Sequence, residues 1–191
     1  MMEQTYKRIF DVVVAGLLLF LLAPVFVVIA VITRATSRGP VLYWSDRIGK
    51  NNTLFRMPKF RTMYLNTPVV ATHLLTNSID FITQWGSFLR KFSLDELPQL
   101  WSVLKGDMTF VGPRPALYNQ HDLIALRTVA GVHRLTPGLT GWAQINGRDE
   151  LPIPVKVEFD KFYMRKRSLA FDLHILRKTV VKTMKSDGVS H

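Results

Sequence analysis

The sequence predicts an α+β chain, mostly helical, with an N-terminal membrane helix, one small β-hairpin and amphipathic helices toward the C-terminus. Three observations predict it: an uncharged apolar run over residues 12–32, two short strand-like segments around a turn at 48–52, and helical spacing of apolar residues in most of the rest. The 191 residues suit a single soluble-sized core, and no stretch repeats.

As a helix, the run at 12–32 covers roughly 30 Å of hydrocarbon. Lys7 and Arg8 precede it, and Arg34, Arg38 and Arg47 follow closely, so both flanks carry the charge that favours the cytoplasmic side. A straight span cannot place both flanks on one side, whereas a helix that enters, bends and returns can. Pro24 lacks an N–H and offers the bend at Ala23-Pro24. A spanning helix that tolerates its proline is the open alternative. A cleaved signal peptide fits poorly, because the run is long and residues 33–36 make a poor cleavage site.

Residues 41–44 and 53–60 read as the strands of a hairpin, the second confined to an edge by Pro58. Period-two alternation puts Lys59 and Arg61 on one face, where the plain reading is a solvated edge. Residues 64–81 read as a loop, and 82–92 as a short helix broken by Gly86 that delivers Arg90 and Lys91. Leu97, Leu100, Trp101 and Leu104 then fall on one helical stripe that ends at Lys105-Gly106. Because Pro98 belongs in a first turn, this helix should start near Asp95 or Glu96. A capping box running from Ser93 to Glu96 is the competing reading.

Downstream, Leu123, Leu126 and Val129 predict a scaffold helix over 117–130. A turn-rich loop at 135–148 carries Trp142, which could pack in the core or stack on a base. Two amphipathic helices follow, one with Val155, Phe159, Phe162 and Tyr163, the other with Leu169, Leu173, Leu176, Val180 and Met184. Their basic polar faces suit either burial against the core or an anionic lipid surface. Asp172 reads as an acid that acts behind a site rather than in it, and 186–191 as a loose tail.

A net charge of +11 with 48% apolar residues fits a protein on an anionic membrane at least as well as a nucleic-acid binder. The absence of cysteine excludes disulfides, thiolate catalysis and cysteine zinc sites, and there is no HExxH, GxGxxG or P-loop motif. The chemistry concentrates in residues 89–115, where Asp95 and Glu96 stand at a helix start among Arg90, Lys91 and Arg114, with Lys59 and Arg61 in a second dense motif. Cations alone would bind phosphate. Two carboxylates repel that ligand unless one holds a divalent metal or attacks phosphorus itself. Metal-assisted phosphoryl chemistry with an aspartyl intermediate therefore stands against the plain reading of Asp95 as a helix cap.

KFRTM at 59–63, SLDELPQLWSVLKGDMTFVGPRP at 93–115 and PGLTGWAQINGR at 137–148 resemble the bacterial sugar transferases known as monotopic phosphoglycosyl transferases. That resemblance implies a re-entrant helix-break-helix at Ala23-Pro24, a division into a membrane portion, 1–38, and a cytoplasmic catalytic portion, 39–191, and interfacial helices. It implies Asp95 as nucleophile, Glu96 as the Mg²⁺ ligand, Lys59, Arg61, Arg90 and Arg114 on phosphate oxygens, and Gln144 and Arg148 on the nucleotide. The implied reaction moves a sugar-1-phosphate from a UDP-sugar to undecaprenyl phosphate, on the cytoplasmic face of the bacterial inner membrane. Membrane lipids and downstream glycosyltransferases are the further partners expected, and nucleic acid is not. The short form and residues 116–131 point to an N-acetylated amino or deoxyamino sugar, with a glucose or galactose transferase as the alternative. Outside the family, the rivals are a non-catalytic basic membrane-attached binding protein and a scaffold subunit. Alanine at 23 where many relatives carry serine, and Trp44-Ser45-Asp46 in place of a Gln-containing segment, are departures from the family pattern.

Overall fold

The structure is a computed structural model that describes residues 2–67, 78–147 and 151–185. Helices α1 (Met2–Leu21) and α2 (Ala23–Thr36) meet at Leu22 with a bend of 60°. Pro24 sits in the first turn of α2, where its missing N–H costs no helical bond. Among the described residues no single helix is long and apolar enough to cross a membrane, but this bent pair is so in combination.

The cations expected to act only as flanking charges have specific partners. Lys7 Nζ pairs with Asp172 and donates to the Val111 carbonyl at 2.9 Å. Arg8 donates to the carbonyls of Val103 and Leu104 at 2.6 and 2.7 Å, so it caps the C-terminal end of the helix at Gln99–Lys105. Buried Asp11 accepts from Thr109 Oγ1 at 2.7 Å and from the Phe110 N–H at 3.2 Å. Above these contacts, Phe10, Val14, Ala15, Leu18, Leu19 and Leu22 pack into the main core. The first half of α1 thus belongs to the folded body.

Strands β1 (Leu42–Ile48) and β2 (Leu54–Phe60) form an antiparallel pair with Trp44 opposite Pro58 and Tyr43 opposite Lys59. The first strand runs past the predicted end at 44, because the far end of β1 gains a second neighbour: the Ile48 N–H donates to the Ala116 carbonyl at 2.9 Å. Helix α3 (Gly86–Lys91) begins at Gly86 instead of breaking there. Helix α4 (Gln99–Lys105) follows a 3-10 turn at Leu94–Glu96 and ends at Gly106, whose φ of 101° only glycine adopts without strain. Strand β3 (Thr109–Val111) lies parallel to β4 (Gly138–Thr140), and between them come α5 (His121–Val129) and a turn at Val132–Arg134. Helices α6 (Trp142–Ile145), α7 (Ile153–Lys166) and α8 (Leu169–Lys185) complete the described chain.

Four apolar stripes are corrected by the packing. On α4 the buried residues are Gln99, Leu100, Ser102 and Val103, and Trp101 is 55% exposed. On α5 Leu123 is buried with Arg127, whereas Val129 is 90% exposed. On α7 the inward face is Val157, Asp160 and Tyr163 in place of Val155 and Phe162. On α8 Asp172 and Ile175 point inward, and Leu169, Leu173 and Val180 remain exposed. In α5, α7 and α8 a charged residue takes a core position because an ion pair or hydrogen bond satisfies it there, and its apolar neighbours rotate outward. Trp142 packs on Phe162 and Phe171, with centroids 5.6 and 5.0 Å away, so its ring serves the core.

Candidate active site

Asp95 and Glu96 occupy the 3-10 turn before α4, not the first turn of α4 itself. Ser93 enters that turn with φ 55°, a left-handed conformation that costs a non-glycine residue roughly 1 kcal/mol. Its side chain makes no cap bond, which removes the capping-box reading of Glu96. The carboxylate of Glu96 instead meets Lys59 Nζ at 2.7 Å and Arg114 Nη2 at 3.3 Å, both at Oε1. Asp95 lies beside them, 7% exposed, with Lys59 Nζ 4.0 Å from Oδ2.

The two acids have opposite electrostatic fates. Burial pushes the Asp95 carboxyl above the usual carboxylate range, against the pull of Lys59, with Glu96 adding repulsion. Burial also works to raise Glu96, but Lys59 and Arg114, by charge and hydrogen bond, hold it well below that range. Arg90 is anchored by donating to Thr62 Oγ1 at 3.0 Å and to Met63 Sδ at 3.4 Å. Burial lowers its pKa while Asp95 and Glu96 raise it, so it feels both carboxylates.

Arg114 is positioned by its own backbone. The buried Arg127–Asp160 pair closes at 2.7 and 2.9 Å, and Arg127 Nη1 donates to the Arg114 carbonyl at 2.7 Å. On the other side Arg47 Nη1 donates to the Pro115 carbonyl at 3.1 Å. Sequence reading missed Arg127 and Asp160 because the α5 and α7 stripes were assigned to apolar residues alone. Opposite charges on two neighbouring amphipathic helices were the available signal.

Arg61, expected on a phosphate oxygen, is tied to its own chain. It stands one residue past β2, and its guanidinium donates to the carbonyls of Pro40, Arg38 and Ser37 at 2.7, 2.9 and 3.0 Å and to Ser37 Oγ at 2.9 Å. It is buried there as a clamp on the exit from α2, because three converging carbonyls match its fork better than one strand face does. Lys91 is exposed, its ammonium 5.8 Å from the Phe92 ring centroid. Asp172 fastens α1 through Lys7 and accepts from Tyr163 at 2.7 Å, away from the carboxylate pair's own hydrogen bonds. Gln144 lines a small cleft shared with Arg114. Arg148 lies outside the described residues, as do 68–77 of the predicted loop and the tail.

A family model for bacterial sugar transferases matches residues 2–186. The chain belongs to the bacterial sugar transferase family. Among relatives of this bacterial sugar transferase is the UDP-glucose:undecaprenyl-phosphate glucose-1-phosphate transferase of Escherichia coli, 39% identical over 92% of this chain and 39% of the relative. An undecaprenyl-phosphate galactose phosphotransferase of Salmonella typhimurium is 36% identical over 95% of this chain and 41% of its own length. The exopolysaccharide production protein ExoY of Rhizobium meliloti is 36% identical over 95% and 87%. The chain therefore spans about two fifths of the first two relatives and most of the third.

Proposed function

We propose that the chain transfers a sugar-1-phosphate from a UDP-sugar to undecaprenyl phosphate through a phosphoglycosyl-aspartate on Asp95, at the cytoplasmic face of a bacterial inner membrane. The observation that carries this reading is the division of labour between adjacent carboxylates. Glu96 is fixed as an anion by two cations, and among the described residues buried Asp95 has only a long ion pair to Lys59. A desolvated carboxylate is the better nucleophile, and the neighbouring cations are suited to gathering the diphosphate.

In the first step an Asp95 oxygen attacks the sugar-bearing phosphorus, and the bond to the bridging oxygen breaks with its electron pair leaving on UMP. In the second, an oxygen of the lipid phosphate attacks the same phosphorus and returns the carboxylate of Asp95. Lys59, Arg90 and Arg114 offset the charge gathered on the phosphate oxygens in both steps. Both described cations of Glu96 meet Oε1, and its carboxylate is the group that would hold Mg²⁺, an oxygen ligand of the kind that ion takes. When bound there, the ion lowers the cost of releasing UMP.

For the sugar, relatives named for glucose and galactose favour a hexose over the amino sugar. Intact and peptide mass spectrometry of the purified protein with Mg²⁺ and a panel of UDP-sugars, without lipid acceptor, tests both points. The expected result is a phosphosugar adduct on the Asp95 peptide, absent in Asp95→Asn and discharged by undecaprenyl phosphate. The donor that gives the adduct names the sugar. Salt-sensitive anion binding that Asp95→Asn leaves intact, with no adduct from any donor, would favour the basic binding protein instead.

A further inference from the structure

Asp95 stands among three cations, and each of them has a nearer partner. Lys59 Nζ lies 2.7 Å from Glu96 Oε1 but 4.0 Å from Asp95 Oδ2. Arg114 Nη2 meets Glu96 at 3.3 Å. Arg90, among the described residues, forms an ion pair with neither acid, although the charge of both reaches it. Opposite charges in a buried site attract strongly, and a guanidinium takes a carboxylate in a two-pronged contact when nothing restrains it. Something therefore holds Arg90 back.

The restraint is Thr62. Its Oγ1 accepts from Arg90 Nε at 3.0 Å, and the other acceptor of that guanidinium among the described residues is Met63 Sδ at 3.4 Å, a weak one. Thr62 is buried and cannot follow the arginine, because its carbonyl accepts from the Thr83 N–H at 2.9 Å and from Thr83 Oγ1 at 3.3 Å. Helix α3 is pressed onto the same carbonyl at Gly86, where an added Cβ would lie 2.2 Å from it, so only glycine permits the approach. Arg90 stands about one turn on from Gly86, and side chains on a helix lean toward its N-terminus, so its stem runs back toward Thr62. With Nε held there, Nη1 makes no hydrogen bond among the described residues.

We propose that the Thr62 hydroxyl is a positioning group that holds the Arg90 guanidinium off Asp95, leaving the nucleophile without a close partner and the guanidinium's remaining edge for oxygens of the phosphoryl group that Asp95 attacks. The inference rests on the aspartyl-transfer reading above. A carboxylate gripped by a guanidinium has its lone pairs engaged and must break that contact before it attacks, whereas one approached only at 4.0 Å is ready. The hydroxyl suits this task because it is neutral: it tethers Arg90 without cancelling the charge that the phosphate needs.

The test is the single-turnover rate of adduct formation on Asp95 at saturating donor, read by rapid quench and intact mass. It uses the full chain in detergent with Mg²⁺ and, in parallel, UDP-glucose, UDP-galactose and UDP-N-acetylglucosamine. Thr62→Val and Thr62→Ala should each slow the step by about tenfold or more, the loss expected for one hydrogen bond to a charged group, and Thr62→Ser should restore it to within a few fold of native. Arg90→Gln should also be slow on its own. The decisive variant joins Thr62→Val with Arg90→Gln, which removes the charge that would collapse onto Asp95, and it should be no slower than Thr62→Val alone. Losses that multiply in the double variant would overturn the inference, since the two residues would then act independently. So would a Thr62→Ser as slow as Thr62→Val, or a Thr62→Val as fast as native. Loss of the native near-UV circular dichroism in both Thr62→Val and Thr62→Ala would make the hydroxyl structural and overturn it too. A native adduct with multiplied losses sinks this inference alone, whereas no native adduct from any UDP-sugar sinks the reading beneath it.

Discussion

At the scale of the residue, Asp95 holds a charge that its surroundings disfavour. A carboxyl whose folded pKa is raised takes up its proton more readily folded than unfolded, so its ionised form costs stability above that pKa, and the cost fades as pH falls through it. Asp95→Asn mimics the neutral form. It should therefore raise Tm at neutral pH while abolishing the adduct, with the gap in Tm closing on acidification. The same raised pKa places the acid limb of adduct formation above that of an ordinary aspartate, which a pH series of single-turnover rates would read. A variant Tm below the native value at neutral pH would contradict the assignment. Arg61 makes the opposite case: Arg61→Ala strands three carbonyls and should cost roughly 1–3 kcal/mol in denaturant unfolding. Arg61→Lys should not restore it, since one ammonium cannot serve the same fork, and KM for the donor should be unchanged in whatever fraction stays folded. The sequence made Asp95, Glu96, Lys59, Arg90 and Arg114 legible as a charge constellation, since opposite charges near a helix start imply chemistry. It could not separate Lys59 from Arg61, because alternation along a strand says nothing once the strand ends at Phe60.

At the scale of the element, most helices were legible in order but not in orientation, and α6, inside the loop expected at 135–148, was not legible at all. Apolar spacing in α8 fits Leu169, Leu173 and Val180 as a core face, yet the helix turns Asp172 inward to meet Lys7 and Tyr163. Periodicity cannot anticipate that, because the partner cation lies on α1, at the other end of the chain. The bend between α1 and α2 was legible, since Pro24 and two basic flanks both call for it. What α1 does before the bend was not: Lys7 and Arg8 read as flanking charge and are fasteners, and Asp11 is a third. Asp172→Ala should thus cost roughly 1–3 kcal/mol, because Lys7 loses its ion-pair partner and the Tyr163 hydroxyl loses one of its two acceptors. Hydrogen exchange should quicken along the first half of α1, as expected for a locally released element. Unchanged exchange in α1 would mean that the apolar contacts alone hold it. If Asp172 instead acted behind the catalytic carboxylates, the adduct rate would fall while exchange in α1 stayed the same.

At the scale of the whole molecule, the sequence suggests a membrane portion ending at 38 and a separable catalytic portion, and the packing bears on whether that portion can stand alone. Phe10, Val14, Ala15, Leu18, Leu19 and Leu22 enter the main core beside Leu100, Val103, Met108 and Phe110. At about 1 kcal/mol or more for each large side chain partly removed from water, deleting α1 takes away roughly 5 kcal/mol. Three polar attachments at Lys7, Arg8 and Asp11 go with it. A domain's whole margin is only about 5–15 kcal/mol, so a chain beginning at 39 should fail to fold. Size-exclusion chromatography and near-UV circular dichroism of that truncation should show aggregate or a state without fixed tertiary packing. A monomeric product with native near-UV signal would refute the coupling. If α1 enters lipid as proposed, the same packing would let that helix set the height of the carboxylates. Lys7 reaches the Val111 carbonyl and Asp11 the Phe110 N–H, and the chain then runs from β3 through Gly112 and Pro113 into Arg114. The contacts of α1 and the Arg114–Glu96 pair are thereby joined along one continuous stretch of chain. Shortening α1 by one turn below Asp11 while keeping that residue's contacts should leave the adduct on Asp95 intact in detergent. Transfer to lipid acceptor should slow in bilayers, because only the second step requires the site to stand at the height of the lipid phosphate.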